Sequence, residues 1–98
     1  MILEIAVGVE GFRNVSAATL RVLRELESAR GPVYGSVLEA VWDGGDNVYP
    51  LLKRLTDRGW LVSERDRPPG RRRRLYRLTT EGRRATLELL AVYETAGP

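Results

Sequence analysis

The sequence predicts a mainly α-helical fold with a small β-hairpin. Three observations carry that expectation. Apolar residues recur at helical spacing in four segments. Pro68-Pro69-Gly70 separates two runs that read as strands within 60–78. Gly31-Pro32 and Asp43-Gly44-Gly45-Asp46 punctuate the helical part. Ninety-eight residues make one domain, residues 1–98, with little room for a second core.

Residues 1–14 commit to no period. Ile2, Leu3, Ile5, Val7 and Val9 are interrupted by Gly8 and Gly11, and a short strand, a weak helix or an N-terminal arm all fit.

The first helix begins after Ser16, whose hydroxyl can accept from a first-turn amide. Val15 and Leu20 are placed for a hydrophobic staple. Leu20, Leu23 and Leu26, with Ala17 and Val22, form the expected inward stripe, and Gly31-Pro32 is the expected stop.

The second helix is expected over Val33–Trp42, with Val37, Leu38 and Val41 facing the core. Gly35 within it implies close approach of another backbone, or a loose first turn. Asp43–Asp46 is short enough to set the next helix at a steep angle.

That third helix is Asn47-Val48-Tyr49-Pro50-Leu51-Leu52-Lys53-Arg54-Leu55, running to Asp57-Arg58 with Gly59 as cap. Val48, Leu51, Leu52 and Leu55 form its buried stripe; Asn47, Tyr49, Lys53, Arg54 and Arg58 can face outward. Pro50 is tolerated in a first turn, which places the start near Asp46–Pro50, although Asp43 could cap an earlier one.

Trp60, Leu61 and Val62 open the hairpin, and Arg73-Arg74-Leu75-Tyr76-Arg77-Leu78 returns from its turn, with Leu75 or Tyr76 and Leu78 able to pack inward. The last helix starts at Thr79 or Thr80 and reaches about Glu94. Its band of Ala85, Leu89 and Val92, with Thr86, Leu90 and Tyr93, is wider than one contact needs, and favours contact with a second copy.

Function follows first from exclusion. There is no cysteine and no histidine. Disulfides, thiol chemistry, Cys/His zinc sites and imidazole catalysis are therefore unavailable. Asp43 and Asp46 fit a helix start better than a metal site, and no carboxylate, hydroxyl or lysine cluster suggests catalysis. The chain does not read as an enzyme, and no cofactor or metal is expected. With no bilayer-length apolar run and no secretory signal at Met1–Ile5, no membrane partner is expected, and the expected location is the cytoplasm.

The net charge of +3 is unevenly spread. Residues 1–52 carry 4 basic and 7 acidic side chains, giving −3, whereas residues 53–84 carry 12 basic and 4 acidic, giving +8. Seven arginines lie between 65 and 77, and Arg71, Arg72, Arg73 and Arg74 are consecutive. Such a run repels itself unless an anion neutralises it. A solvated hairpin would be served as well by mixed charges, so nucleic acid is the favoured partner. RNA binding ranks lower, because only Tyr34, Tyr49 and Tyr76 could stack on bases.

Helix, helix, helix, hairpin, helix is the order of a winged helix-turn-helix. The residues also resemble one family, the PadR-like transcriptional regulators, from about residue 18 to 92. Tyr34-Gly35 with Val37-Leu38 is similar to its second-helix signature, and Asn47–Leu55 followed by Gly59-Trp60-Leu61 to its recognition helix. Gly70–Thr79 with Glu81-Gly82-Arg83 resembles its wing and the turn after it, a stretch shared with MarR-like regulators. The family's usual Ser-x-Gly-Thr start becomes Gly44-Gly45-Asp46-Asn47 here, and asparagine can pair bidentately with adenine. The chain resembles the family's short members.

The resemblance implies a sequence-specific, double-stranded-DNA-binding transcriptional regulator, a repressor acting as a homodimer on a pseudo-palindromic site. The third helix would enter the major groove and the arginine-rich wing would hold flanking DNA. Asn47 is then the candidate base contact, Tyr49, Lys53 and Arg54 the phosphate or groove-edge contacts, and Arg71 to Arg74 the contacts to the flanking minor groove or its phosphates. The resemblance also allows an apolar small-molecule effector at a dimer interface, lined by Trp42 and the last helix. Core packing is the favoured role for those residues, and nothing in them indicates an effector. The alternative is a winged-helix protein-interaction module, against which the basic region argues.

Overall fold

A computed structural model describes residues 15–66 and 73–95. The reading of residues 1–14, the Pro68-Pro69-Gly70 turn, Arg71 and Arg72 lie outside the described residues. The elements are α1 (Ala17–Ser28), β1 (Val33–Tyr34), α2 (Gly35–Val41), α3 (Tyr49–Asp57), β2 (Leu61–Arg65), β3 (Arg74–Leu78) and α4 (Thr80–Thr95). This is a mainly α-helical winged helix-turn-helix with a three-stranded antiparallel sheet in the order β1-β3-β2.

Ser16 caps α1 as its position suggests, its Oγ accepting from the Thr19 amide at 3.1 Å. The buried stripe is Ala18, Thr19, Val22, Leu23 and Leu26. Ala17, expected inside, is exposed, and Leu20 is half-buried against the core with Val15. Val22, Leu23 and Leu26 are buried as expected, and only in the first turn does Ala18, about 100° around the helix, take the inward place of Ala17. The stop also differs. Ala29 caps α1 with an extended backbone (φ −73°, ψ 145°), so Gly31 supplies no left-handed turn.

The larger correction concerns 33–34. Val33 and Tyr34 form a strand rather than the start of the second helix, pairing with Tyr76 and Leu75 of β3. A β-branched and an aromatic residue suit a pleated surface. The pairing covers what would otherwise be a free edge of β3. With α2 beginning at Gly35, Leu38 points inward, Val41 is half-buried and Val37, expected in the core, is 39% exposed.

At Gly35 the close neighbours are side chains rather than backbone. A Cβ there would lie 3.3 Å from Tyr76 Cε2 and 3.5 Å from the Tyr49 hydroxyl.

α3 keeps its expected stripe, with Val48, Leu51, Leu52 and Leu55 all buried. Pro50 sits in its first turn, and Gly59 follows the C-cap at φ 87°. In the hairpin, Leu61 pairs with Leu78 and Arg65 with Arg74, which resolves the inward residue as Tyr76 rather than Leu75. Thr79 caps α4, its Oγ1 accepting from the Gly82 amide at 2.9 Å, while the Thr79 amide donates to the Trp60 carbonyl at 2.9 Å. The Trp60 carbonyl occupies the place a Cβ on Gly82 would need, so glycine lets α4 begin directly on the start of β2.

One cluster of buried residues joins α1, α2, α3, the sheet and α4. On α4, Ala85, Thr86, Leu89 and Leu90 are buried and Tyr93 is half-buried, whereas Val92 is 38% exposed and Leu87 is 49% exposed.

Candidate nucleic-acid interface

Packing of its leucine stripe against the core leaves the polar side of α3 in solvent. Asn47 precedes it, and its Oδ1 accepts from the Tyr49 amide at 2.9 Å, pairing one first-turn donor. A second lone pair on Oδ1 and both amide hydrogens remain for a partner. Trp42 holds the preceding turn. Its indole N–H donates to the Asp46 carbonyl, and its ring fills the space beside Gly44, where a Cβ would collide. Gly45 completes the turn at φ 89°. Trp42 thus packs half-buried against the core while anchoring the entry to α3.

The candidate residues on α3 separate by role. Tyr49 is 44% exposed, but its phenol lies against Gly35 and beside Tyr76. Desolvation, then the charge of Glu39 and the neighbouring Tyr76, raises this phenol above the ordinary tyrosine range. Its ring braces α3 against α2 and β3 while one side remains open. Lys53 Nζ is 3.0 Å from Asp57 Oδ2, one turn along, with both side chains well exposed, so the pair is weak and open to competition from phosphate. Arg54 is exposed and carries no ion pair among the described residues. Arg58 lies over the Trp60 ring, 5.6 Å from its centroid.

Of the wing arginines, Arg73 and Arg74 are described. Arg74 Nη1 donates to Ser63 Oγ at 2.9 Å across the hairpin. Arg74 also stands opposite Arg65, a like-charge cross-strand pair that is unfavourable unless an anion offsets it. Arg73 lies over the Tyr34 ring, 5.3 Å from its centroid, and the Tyr34 hydroxyl donates to Asp66 Oδ2 at 2.7 Å. That hydrogen bond, then desolvation and the Asp66 charge, raises the Tyr34 phenol against the opposing effect of Arg73. Sequence reasoning weighed Tyr34 only as a base-stacking candidate and as part of a motif, and it missed Asp66. Its place between Arg65 and Arg67 was the available signal.

Among the described residues there is no cluster of acids that could hold a metal ion, and no helix is long and apolar enough to cross a membrane.

A family model described as the transcriptional regulator PadR-like family matches residues 29–88. A PadR family transcriptional regulator from Eggerthella lenta DSM 2243 superposes with a TM-score of 0.61 at 30% identity, covering 97% of this chain and 80% of that one. A protein of Streptococcus mutans UA159 gives 0.65 at 26% identity, covering 83% and 81%. A structure described as a MarR-like transcription regulator from Bacillus cereus ATCC 10987 gives 0.69 at 19% identity, a likeness of fold alone. It covers 95% of this chain, which spans 66% of that structure's length. No curated protein matches the sequence.

Proposed function

Because the chain belongs to the PadR-like family of transcriptional regulators, we propose that it regulates by binding a specific double-stranded DNA site. The observation that carries this reading is the shared exposure of two basic elements. Lys53 and Arg54 on α3 and Arg73 and Arg74 at the base of the wing belong to the stretch whose net charge is +8. Phosphate contacts from such groups orient a protein on the duplex, and base-edge contacts select the sequence. In this reading the first turn of α3 enters the major groove. Asn47 reads a base edge, Lys53 and Arg54 hold phosphates, and Tyr49 reaches the groove edge from its brace. Arg71 to Arg74 hold flanking DNA.

The regulator acts as a repressor by occupying its site, and as a homodimer whose two α3 helices address half-sites roughly 34 Å apart. Leu87 and Val92, apolar and exposed on α4, support a second copy there.

Selection of bound duplexes from a random pool tests the reading. The wild-type chain is expected to enrich one motif. Asn47→Ala should relax a single position of it and weaken the preferred site by about 1–3 kcal/mol. Enrichment of no motif would contradict sequence-specific binding. No recovery of duplex at low salt would favour a protein-interaction module instead.

A further inference from the structure

Tyr34 lies on β1, at the edge of the sheet, yet its side chain reaches across the sheet's open end. Its backbone partner is Leu75 of β3. Its hydroxyl bonds Asp66 Oδ2 at 2.7 Å, one residue beyond β2. Its ring carries the Arg73 guanidinium, 5.3 Å from the centroid, one residue before β3. Between those two residues runs a further hairpin rung, the Asp66 amide donating to the Arg73 carbonyl at 2.8 Å. One side chain therefore ties together the ends of all three strands, where β2 and β3 leave the core.

We infer that Tyr34 is a positioning residue for DNA: held by Asp66, it sets the base of the wing and presents Arg73 to flanking phosphate. The inference rests on the DNA-binding reading above. A free arginine loses considerable rotamer freedom on docking, whereas a guanidinium already held over a ring loses less. Arg73 carries five N–H donors, more than its place over the Tyr34 ring can engage, and the rest are available to phosphate oxygens. The place of Asp66 also becomes intelligible. A carboxylate within a basic run weakens attraction to DNA, so its presence needs another reason, and holding the Tyr34 phenol supplies one.

Two duplexes separate this role from site recognition. One carries the selected site alone, and the other adds flanking base pairs on both sides. The ratio of their affinities is the flank gain. Tyr34→Phe keeps the ring and strand pairing but removes the hydroxyl. It should lose about three- to tenfold of the flank gain, with affinity for the short duplex unchanged. Asp66→Asn removes the charge but keeps an acceptor, and should retain the flank gain. Asp66→Ala removes both, and against Asp66→Asn, which has the same charge, it should lose about three- to tenfold of the flank gain, with Tyr34→Phe adding no further loss to it.

Full flank gain in Tyr34→Phe, equal loss on both duplexes, or Asp66→Asn matching Asp66→Ala would overturn the positioning role. So would a wild-type chain that binds both duplexes equally, although DNA binding itself would stand. A wild-type chain with no affinity for either duplex would instead remove the DNA-binding reading on which the inference rests.

Discussion

Gly82 and Thr86 stand one turn apart on the inward face of α4 and show how differently single residues fare in such a small core. Gly82 is explained by contact, since the Trp60 carbonyl leaves no room for a side chain. Thr86 is fully buried, and its hydroxyl has no hydrogen-bond partner among the described residues. A buried polar group without a partner costs about 1–3 kcal/mol. Thr86→Val keeps the shape and removes the hydroxyl, and should stabilise the fold by roughly 1 kcal/mol. Thermal melting checks this, and an unchanged or lowered midpoint would show that the hydroxyl is satisfied in solution. Local chemistry made several such residues legible in the sequence. Ser16 caps α1, Gly59 takes the left-handed turn after α3, and Pro50 sits where a first turn tolerates it. Gly31 looked equivalent to Gly59 but is not, because α1 ends at Ser28, before the glycine is reached.

At the scale of elements, legibility followed length and period. The leucine stripe of α3 repeats often enough to define its face. A two-residue strand has no period of its own, so β1 was absorbed into the following helix. Only its pairing with β3, some forty residues later, identifies it. A separation of 32 residues likewise concealed the contact from Tyr34 to Asp66. The candidate site divides along this line: α3 and the arginine run can be read locally, and the brace and latch around Tyr49 and Tyr34 cannot. On α4 the apolar band proved mostly core, with Val92 exposed, and Leu87, which the band did not include, is exposed as well. If these meet a second copy, light scattering should give twice the chain mass of 11.0 kDa for the wild type. Leu87→Lys should lower that mass at equal concentration without loss of helical signal. A wild-type mass of one chain at micromolar concentration would contradict the proposed dimer.

The whole molecule divides its labour by charge and by burial. Residues 1–52, net acidic, hold α1 and α2, which with the sheet and α4 pack the platform under α3. Residues 53–84, with a net charge of +8, include most of α3, both strands β2 and β3 and the start of α4. In this account the platform aims α3, whose first turn selects the site, while the arginines of the wing supply much of the attraction. The central claim is that this basic surface neutralises DNA phosphates, and the salt dependence of duplex affinity tests it most directly. If about six phosphates are engaged, a log–log plot of affinity against salt should fall with a slope near −5, at roughly −0.9 for each contact. A slope near zero, or no binding of duplex at low salt, would contradict it.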